Sequence, residues 1–270
     1  MSTNTESNKY TILFAIGMVI VVGSLLAFTA SSLKPNIKEN ERMEKQQNIL
    51  YAMGINENGD NDIVFVSTDK AASEFSKYKS KQLIVDALGG SIEDNEAYLI
   101  DIKKEQAKAK NGQVRNLPLF VGEKEGETFY IAPIRGKGLW DAIWGYIAMD
   151  ENMVVKGAYF DHKGETPGLG AEISLDWFQE PFQGKTIFEG DEFVSVKVVK
   201  GGAEEDDMHA VDGISGGTIT ADGVTAMLEE RLGNYVPFFE SMRKELEVES
   251  VLDSLDTEDL AINTYKIISS

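Results

Sequence analysis

Residues 212–223, DGISGGTITADG, crowd four glycines, three hydroxyl side chains and two aspartates in front of a stretch with helical apolar spacing. Unpaired N–H groups and the helix dipole both favour negative charge at a helix N-terminus. Gly216 and Gly217 allow the backbone to expose such donors, so a phosphate-bearing ligand is one reading. Plain capping of the helix by Thr220 or Asp222 is the other. A second stretch, GETPGLGAE at 164–172, carries three glycines and a proline. It can turn tightly and approach a ligand closely, or simply connect two strands. A third, RGKGLWDAIWGY at 135–146, offers Arg135 and Lys137 to an anion. Its Trp140 and Trp144, four apart, suit either a core or the face of a flat ring.

Other candidates for chemistry fail on spacing. GKT at 184–186 ends like a phosphate-binding loop, but the first glycine that loop requires is Gln179. Aligning Gly59 of GINENGDND to a calcium loop puts Gly54 and Phe65 at the first and last ligand positions, so a turn is expected there. The acidic run Glu204–Asp207 reads as a solvated loop, and His162 has no nucleophile or paired carboxylate beside it. No catalytic acid–base group and no metal site are expected. The chain has no cysteine and only two histidines, which excludes disulfides, thiolate chemistry, cysteine-ligated clusters and a histidine-rich metal centre. A net charge of −19 argues against nucleic acid as a partner.

The elements that must hold these stretches follow from periodicity. Residues 10–33 carry no charge and, as a helix, span roughly 36 Å, enough to cross a bilayer core of ~30 Å. After the N-terminal tail 1–9, a retained transmembrane helix is expected; the competing reading, a secretory signal peptide, would have a shorter apolar region of ~7–15 residues. Residues 34–115 form a membrane-proximal stalk and accessory region, with a helix starting at Pro35 and running to about Met53. Within it 73–88 looks helical and the lysine-rich 103–115 looks like an exposed linker or hairpin. Short β-branched and aromatic runs from 117 to 200 argue for an antiparallel sheet, interrupted by a short helix in SLDWFQEPF. Val224, Met227, Leu228 and Leu232 then mark a helix over 224–246. The fold class is α+β, with one N-terminal span and an extramembrane domain whose mainly antiparallel sheet is flanked by helices.

Asp212-Gly-Ile-Ser215-Gly216-Gly217-Thr218 resembles the flavinylation motif of covalent FMN-binding domains, D-G-x-S/T-G-A-T, with Gly217 where alanine is usual. The resemblance implies that Thr218 is the acceptor, joined to FMN by a phosphoester, and that a flavin transferase with Mg²⁺ installs it from FAD. ETPGLG, GLW…WGY and the late GNYVPFF, behind a single span, resemble the NqrC family, which belongs to the Na⁺-translocating NADH:quinone oxidoreductases. The implied cofactor contacts are Asp212, Ser215, Gly216, Gly217, Thr218, Thr220, Glu165, Thr166, Gly168, Leu169, Gly170 and Trp140, within an FMN-binding domain over 116–270. The resemblance also implies an electron carrier in the bacterial inner membrane, its partners the other subunits of that complex and its soluble domain on the periplasmic side. Lysines after the span lean the other way, and the family's topology is followed. The related RnfG family of Rnf-type electron-transport complexes shares both motifs and stands as the alternative, beside a membrane-anchored non-redox binding module.

Overall fold

The computed structural model describes residues 7–57, 64–246 and 248. The chain divides into two compact units, 1–44 and 45–270. The first holds most of helix α1 (Asn8–Ala52), whose apolar segment is long enough to cross a membrane. Pro35 lies inside this helix rather than at the start of a new one. The apolar and stalk sequences on either side both favour helix, and the ring removes only one bond of a long ladder. Arg42 and Glu39 pair one turn apart on it.

In the second unit the end of α1 is buried through Ile49, Leu50 and Ala52. Helix α2 (Thr68–Tyr78) follows, then strands β1 (Lys79–Val85) and β2 (Ser91–Glu93). The helix expected over 73–88 therefore stops at Tyr78. Gln82 explains the change: it is buried, donates to the Asn95 carbonyl at 2.9 Å and accepts from Tyr98 N–H at 3.2 Å. Those contacts and pairing with the next strand outweigh a weak helical pattern. Helix α3 (Ile102–Lys110) replaces the expected linker at 103–115. Asp101 caps it by accepting from Lys103 N–H at 3.0 Å and Lys104 N–H at 3.3 Å.

Strands β3 (Leu117–Lys124), β4 (Glu127–Lys137), β5 (Ala142–Met149) and β6 (Val155–His162) complete a six-stranded sheet in the order β2-β1-β3-β4-β5-β6. Every pairing within it is antiparallel. The sheet thus runs across residue 115, where the sequence suggested a domain boundary. Alternation divides its side chains between two cores. Leu119, Ala132, Ile147 and Phe160 join one with Val224, Met227 and Leu228, while Phe120, Ile131, Tyr146 and Ala148 join another with Leu50 and Met53.

SLDWFQEPF folds as helix α4 (Asp176–Gln179) and a 3-10 turn, Glu180–Phe182. The strand-like runs after it shorten to β7 (Phe188–Glu189), β8 (Glu192–Phe193) and β9 (Lys197–Val199), outside the main sheet. Strand β10 (Ala210–Asp212) pairs with β9 in parallel, an exception to the antiparallel expectation. Helix α5 (Thr218–Leu232) packs against β4, and a second helical stretch covers 236–246. The acidic run 204–207 is a loop, GKT begins a short bridge, and no cluster able to hold a metal occurs among the described residues. The C-terminal YKIISS lies outside the described residues.

Candidate functional site

The DGISGGT loop joins β10 to α5. Asp212 accepts from Ala203 N–H at 2.7 Å, and Gly213 N–H donates to the Val199 carbonyl at 2.8 Å, so the loop leaves the parallel pair in a fixed direction. Gly217 N–H closes a turn on the Ile214 carbonyl at 3.0 Å. Gly216 takes φ +78°, a left-handed conformation that disfavours any residue with a Cβ. Gly217 is then the N-cap and Thr218, half-buried, is the first helical residue. The first helical bond runs from Ala221 N–H to the Gly217 carbonyl at 3.0 Å. The N–H groups of Thr218, Ile219 and Thr220 have no carbonyl within the helix to receive them. Because Gly217 has no side chain, none of these donors is taken up by a cap.

The helix starts earlier than its apolar spacing suggested, which corrects the expected caps. Thr220 lies in the first turn and Asp222 beyond it. The Thr220 side chain is 1% exposed, and its hydroxyl donates to Glu165 Oε2 at 2.7 Å.

Glu165 belongs to the GETPGLGAE loop, which follows β6. It is 5% exposed, and its Oε1 accepts from Trp140 N–H at 3.0 Å and Asp141 N–H at 3.4 Å. Burial pushes its carboxyl up, but the Thr220 hydroxyl and the N–H groups of Trp140, Asp141 and Leu139 outweigh this and hold it below the ordinary value. Glu165 N–H donates to His162 Nδ1 at 3.1 Å, so His162 anchors the loop. Thr166 accepts through Oγ1 from Trp140 Nε1 at 3.1 Å, and its carbonyl accepts from Leu169 N–H and Ala171 N–H. Gly168, at φ +75°, donates its N–H to Glu172 Oε1 at 3.0 Å.

The two loops touch. A Cβ built on Gly216 would lie 2.7 Å from Leu169 Cδ2, and one on Gly170 would run into the Thr220 hydroxyl. The structure therefore gathers Trp140, Glu165, Thr166, Leu169, Gly170 and Gly216 beside the first turn of α5. Asp212 and Ser215 flank them, the first engaged with Ala203 and the second exposed. Trp140 is 66% exposed, whereas Trp144 is half-buried in β5 opposite Arg135, which separates the two indoles that spacing alone could not. Leu139, Leu169 and Ile219 are also exposed, so apolar surface borders the unpaired helix donors. Such an edge suits a ligand with an anionic group and a flat apolar body. Glu172, which also accepts from Trp177 Nε1 at 3.3 Å, was missed in the sequence; its only signal there was a carboxylate at the end of the glycine-rich stretch.

The family described as FMN-binding domain matches residues 138–233, a span that contains both loops and all of α5. The NqrC protein of the Na(+)-translocating NADH-quinone reductase of Vibrio anguillarum is 31% identical over 261 residues, covering 90% of this chain and 98% of that protein. This chain belongs to the NqrC family. The Pseudomonas aeruginosa NqrC is 29% identical, at 89% and 98% coverage. The crystal structure of NqrC from Parabacteroides distasonis superposes with a TM-score of 0.67 at 38% identity, over 77% of this chain and 96% of that one. NqrC of Shewanella oneidensis gives 0.61 at 25% identity, over 77% and 99%. These near full-length NqrC matches give the Rnf-type alternative no support.

Proposed function

We propose that the chain is the electron-carrier subunit of a Na⁺-translocating NADH:quinone reductase and holds FMN covalently through Thr218. The observation that carries this reading is Thr218 at the opening of α5, beside N–H donors that no cap consumes. In attachment the Thr218 hydroxyl oxygen would bond to the FMN phosphorus of FAD as the phosphoanhydride bond breaks, with AMP as the leaving group and the hydroxyl proton going to a base on the flavin transferase. The donors of Thr218 and Ile219, at the helix N-terminus, would stabilise the anionic phosphodiester.

FMN supplies the redox chemistry when bound, and this chain supplies position and electrostatics. Trp140, Thr166 and Leu169 would border the ring, Ser215 and Gly216 the phosphate, and Gly168 and Gly170 the turn that brings the two loops together. Electron relay needs no acid–base residue, in keeping with a His162 that is occupied by loop anchoring. Electrons would arrive from and leave to redox centres of neighbouring subunits, which also carry the NADH, quinone and Na⁺ sites. Helix α1 would cross the inner membrane once, with the FMN-binding domain on the periplasmic side.

The test is co-expression of the full chain with a flavin transferase, followed by denaturation, gel electrophoresis and intact mass. A fluorescent band with the mass of one added FMN is expected, and Thr218→Ala should abolish both. Fluorescence that survives Thr218→Ala refutes the acceptor. A chain that never carries an adduct favours a non-redox binding module.

A further inference from the structure

We infer that Glu165 and Thr220 form a buried clasp that positions Thr218 for flavin attachment and do not themselves contact the flavin; this rests on the Thr218 reading above. Both side chains occur among the residues that the family resemblance would turn towards the cofactor. Their geometry says otherwise. They are 5% and 1% exposed and face each other at 2.7 Å. Glu165 Oε1 is occupied by Trp140 N–H and Asp141 N–H, and Oε2 by the Thr220 hydroxyl. The carboxylate is thus already supplied with donors before any ligand is present.

The clasp joins segments that are far apart in the chain. Glu165 lies 25 residues from Trp140 and 55 from Thr220. It ties the turn after β4, the loop after β6 and the first turn of α5 into one body. Gly170 closes the same junction, since any side chain there would meet Glu165. Thr220 lies two residues beyond Thr218 in the same helical turn, so its fixed hydroxyl also fixes where the Thr218 oxygen emerges. Glu165 is not the base that activates Thr218, because no hydrogen bond joins these two residues and Oε2 is committed to Thr220. The acceptor is therefore presented from a preformed helix start rather than from a free loop, and misplacing it by even a fraction of an ångström is costly to a group transfer.

The variants separate a positioning role from a merely structural one. Thr220→Ala removes one donor and leaves Oε2 short of a partner. Glu165→Gln retains the bond, because its carbonyl can keep the backbone donors while its amide donates to Thr220, whose hydroxyl reverses role. Two measurements are made on the full chain purified without flavin: amide hydrogen exchange over 214–221, and the rate of modification by flavin transferase with FAD and Mg²⁺. Losing a hydrogen bond to a charged group corresponds to roughly tenfold or more. Thr220→Ala should speed exchange of the hydrogen-bonded amides of Gly217 and Ala221 by about that factor and lower kcat for modification similarly, with KM for the chain little changed. Glu165→Gln should stay within about threefold of the parent in both, as conservative rescue requires.

Wild-type exchange and modification in Thr220→Ala would overturn the clasp. Faster exchange with an unchanged modification rate would confine the pair to folding and overturn the positioning role. If Thr218→Ala is still modified, the acceptor assignment fails instead, and the exchange measurement reports on the clasp independently.

Discussion

Gly217→Ala restores the residue that the flavinylation motif usually carries, yet in this chain it should destabilise the fold. The backbone does not forbid it, since φ −100° and ψ 23° are accessible to alanine. The obstacle is space. A Cβ on Gly217 would lie 2.8 Å from Ile214 Cγ2, 3.0 Å from Ile214 Cβ and 3.2 Å from the Leu169 carbonyl carbon. Carbon atoms prefer about 3.5–4.0 Å, so the loop must open by several tenths of an ångström. Overpacking of this kind costs about 1–3 kcal/mol. The lower entropy of the unfolded alanine chain returns ~0.4–1 kcal/mol. The balance is a loss of about 0.5–2 kcal/mol, or a Tm lower by roughly 1–8 °C for a domain of this size. The assay is thermal unfolding of the unmodified chain, with Ile214→Leu as the relieving partner. Leucine moves the branch away from Cβ and removes the Cγ2 contact, so the double variant should recover at least ~0.5 kcal/mol relative to the sum of the singles. A Tm that rises in Gly217→Ala, or single effects that simply add, would refute the packing argument.

The remaining predictions concern titration and a distant anchor. Because Glu165 is held below the ordinary 4.5, its contribution to stability is present above that pH and is lost as pH falls through the lowered value. The stability gap between the parent and Glu165→Gln, measured by melting from pH 7 downwards, should therefore narrow in acid; a gap that widens contradicts the assignment. Tyr235 is buried and donates its hydroxyl to the Pro118 carbonyl at 2.9 Å, so Tyr235→Phe should cost about 1–2 kcal/mol by leaving that acceptor unpaired. Burial pushes the Tyr235 phenol well above its ordinary 10.0, so the parent should lose stability as pH rises beyond that value while Tyr235→Phe does not share the loss.

What was legible in the sequence was local. The order D-G-x-S-G-G-T constrains its own backbone, and an uncharged run of 24 residues needs no partner to be read as a span. The β-branched runs that became β3 to β6 announced themselves in the same way. What was missed depends on partners remote in sequence. Residues 79–85 became a strand because Gln82 and the edge of β3 were waiting for them, not because of their own pattern. Helix α3 was missed because its lysine-rich composition suggested solvent and its cap, Asp101, lies outside the lysine run. The role of Thr220 was misread for a related reason. A hydroxyl before a helical pattern suggests a cap, and nothing nearby in sequence points to a carboxylate 55 residues earlier.

The same residues explain why the helix opens on glycine. Serine, threonine, asparagine or aspartate at an N-cap uses its side chain to satisfy one of the free amides of the first turn and adds about 1 kcal/mol relative to alanine; glycine gives up only a few tenths against such a residue. At position 217 that exchange favours function. A capping oxygen would occupy a donor that the proposed phosphate would use, and its Cβ would meet Ile214. Stability is supplied instead from inside the turn, through the Thr220 hydroxyl and the Glu165 carboxylate. A hydroxyl turned inward holds the helix without consuming the uncapped amides of its first turn. The usual alanine satisfies the first of these conditions, an uncapped donor set, equally well. The second, the space taken by Ile214 and Leu169, is where alanine would conflict in this chain, which is why the change at Gly217 should appear in melting rather than in the proposed acceptor.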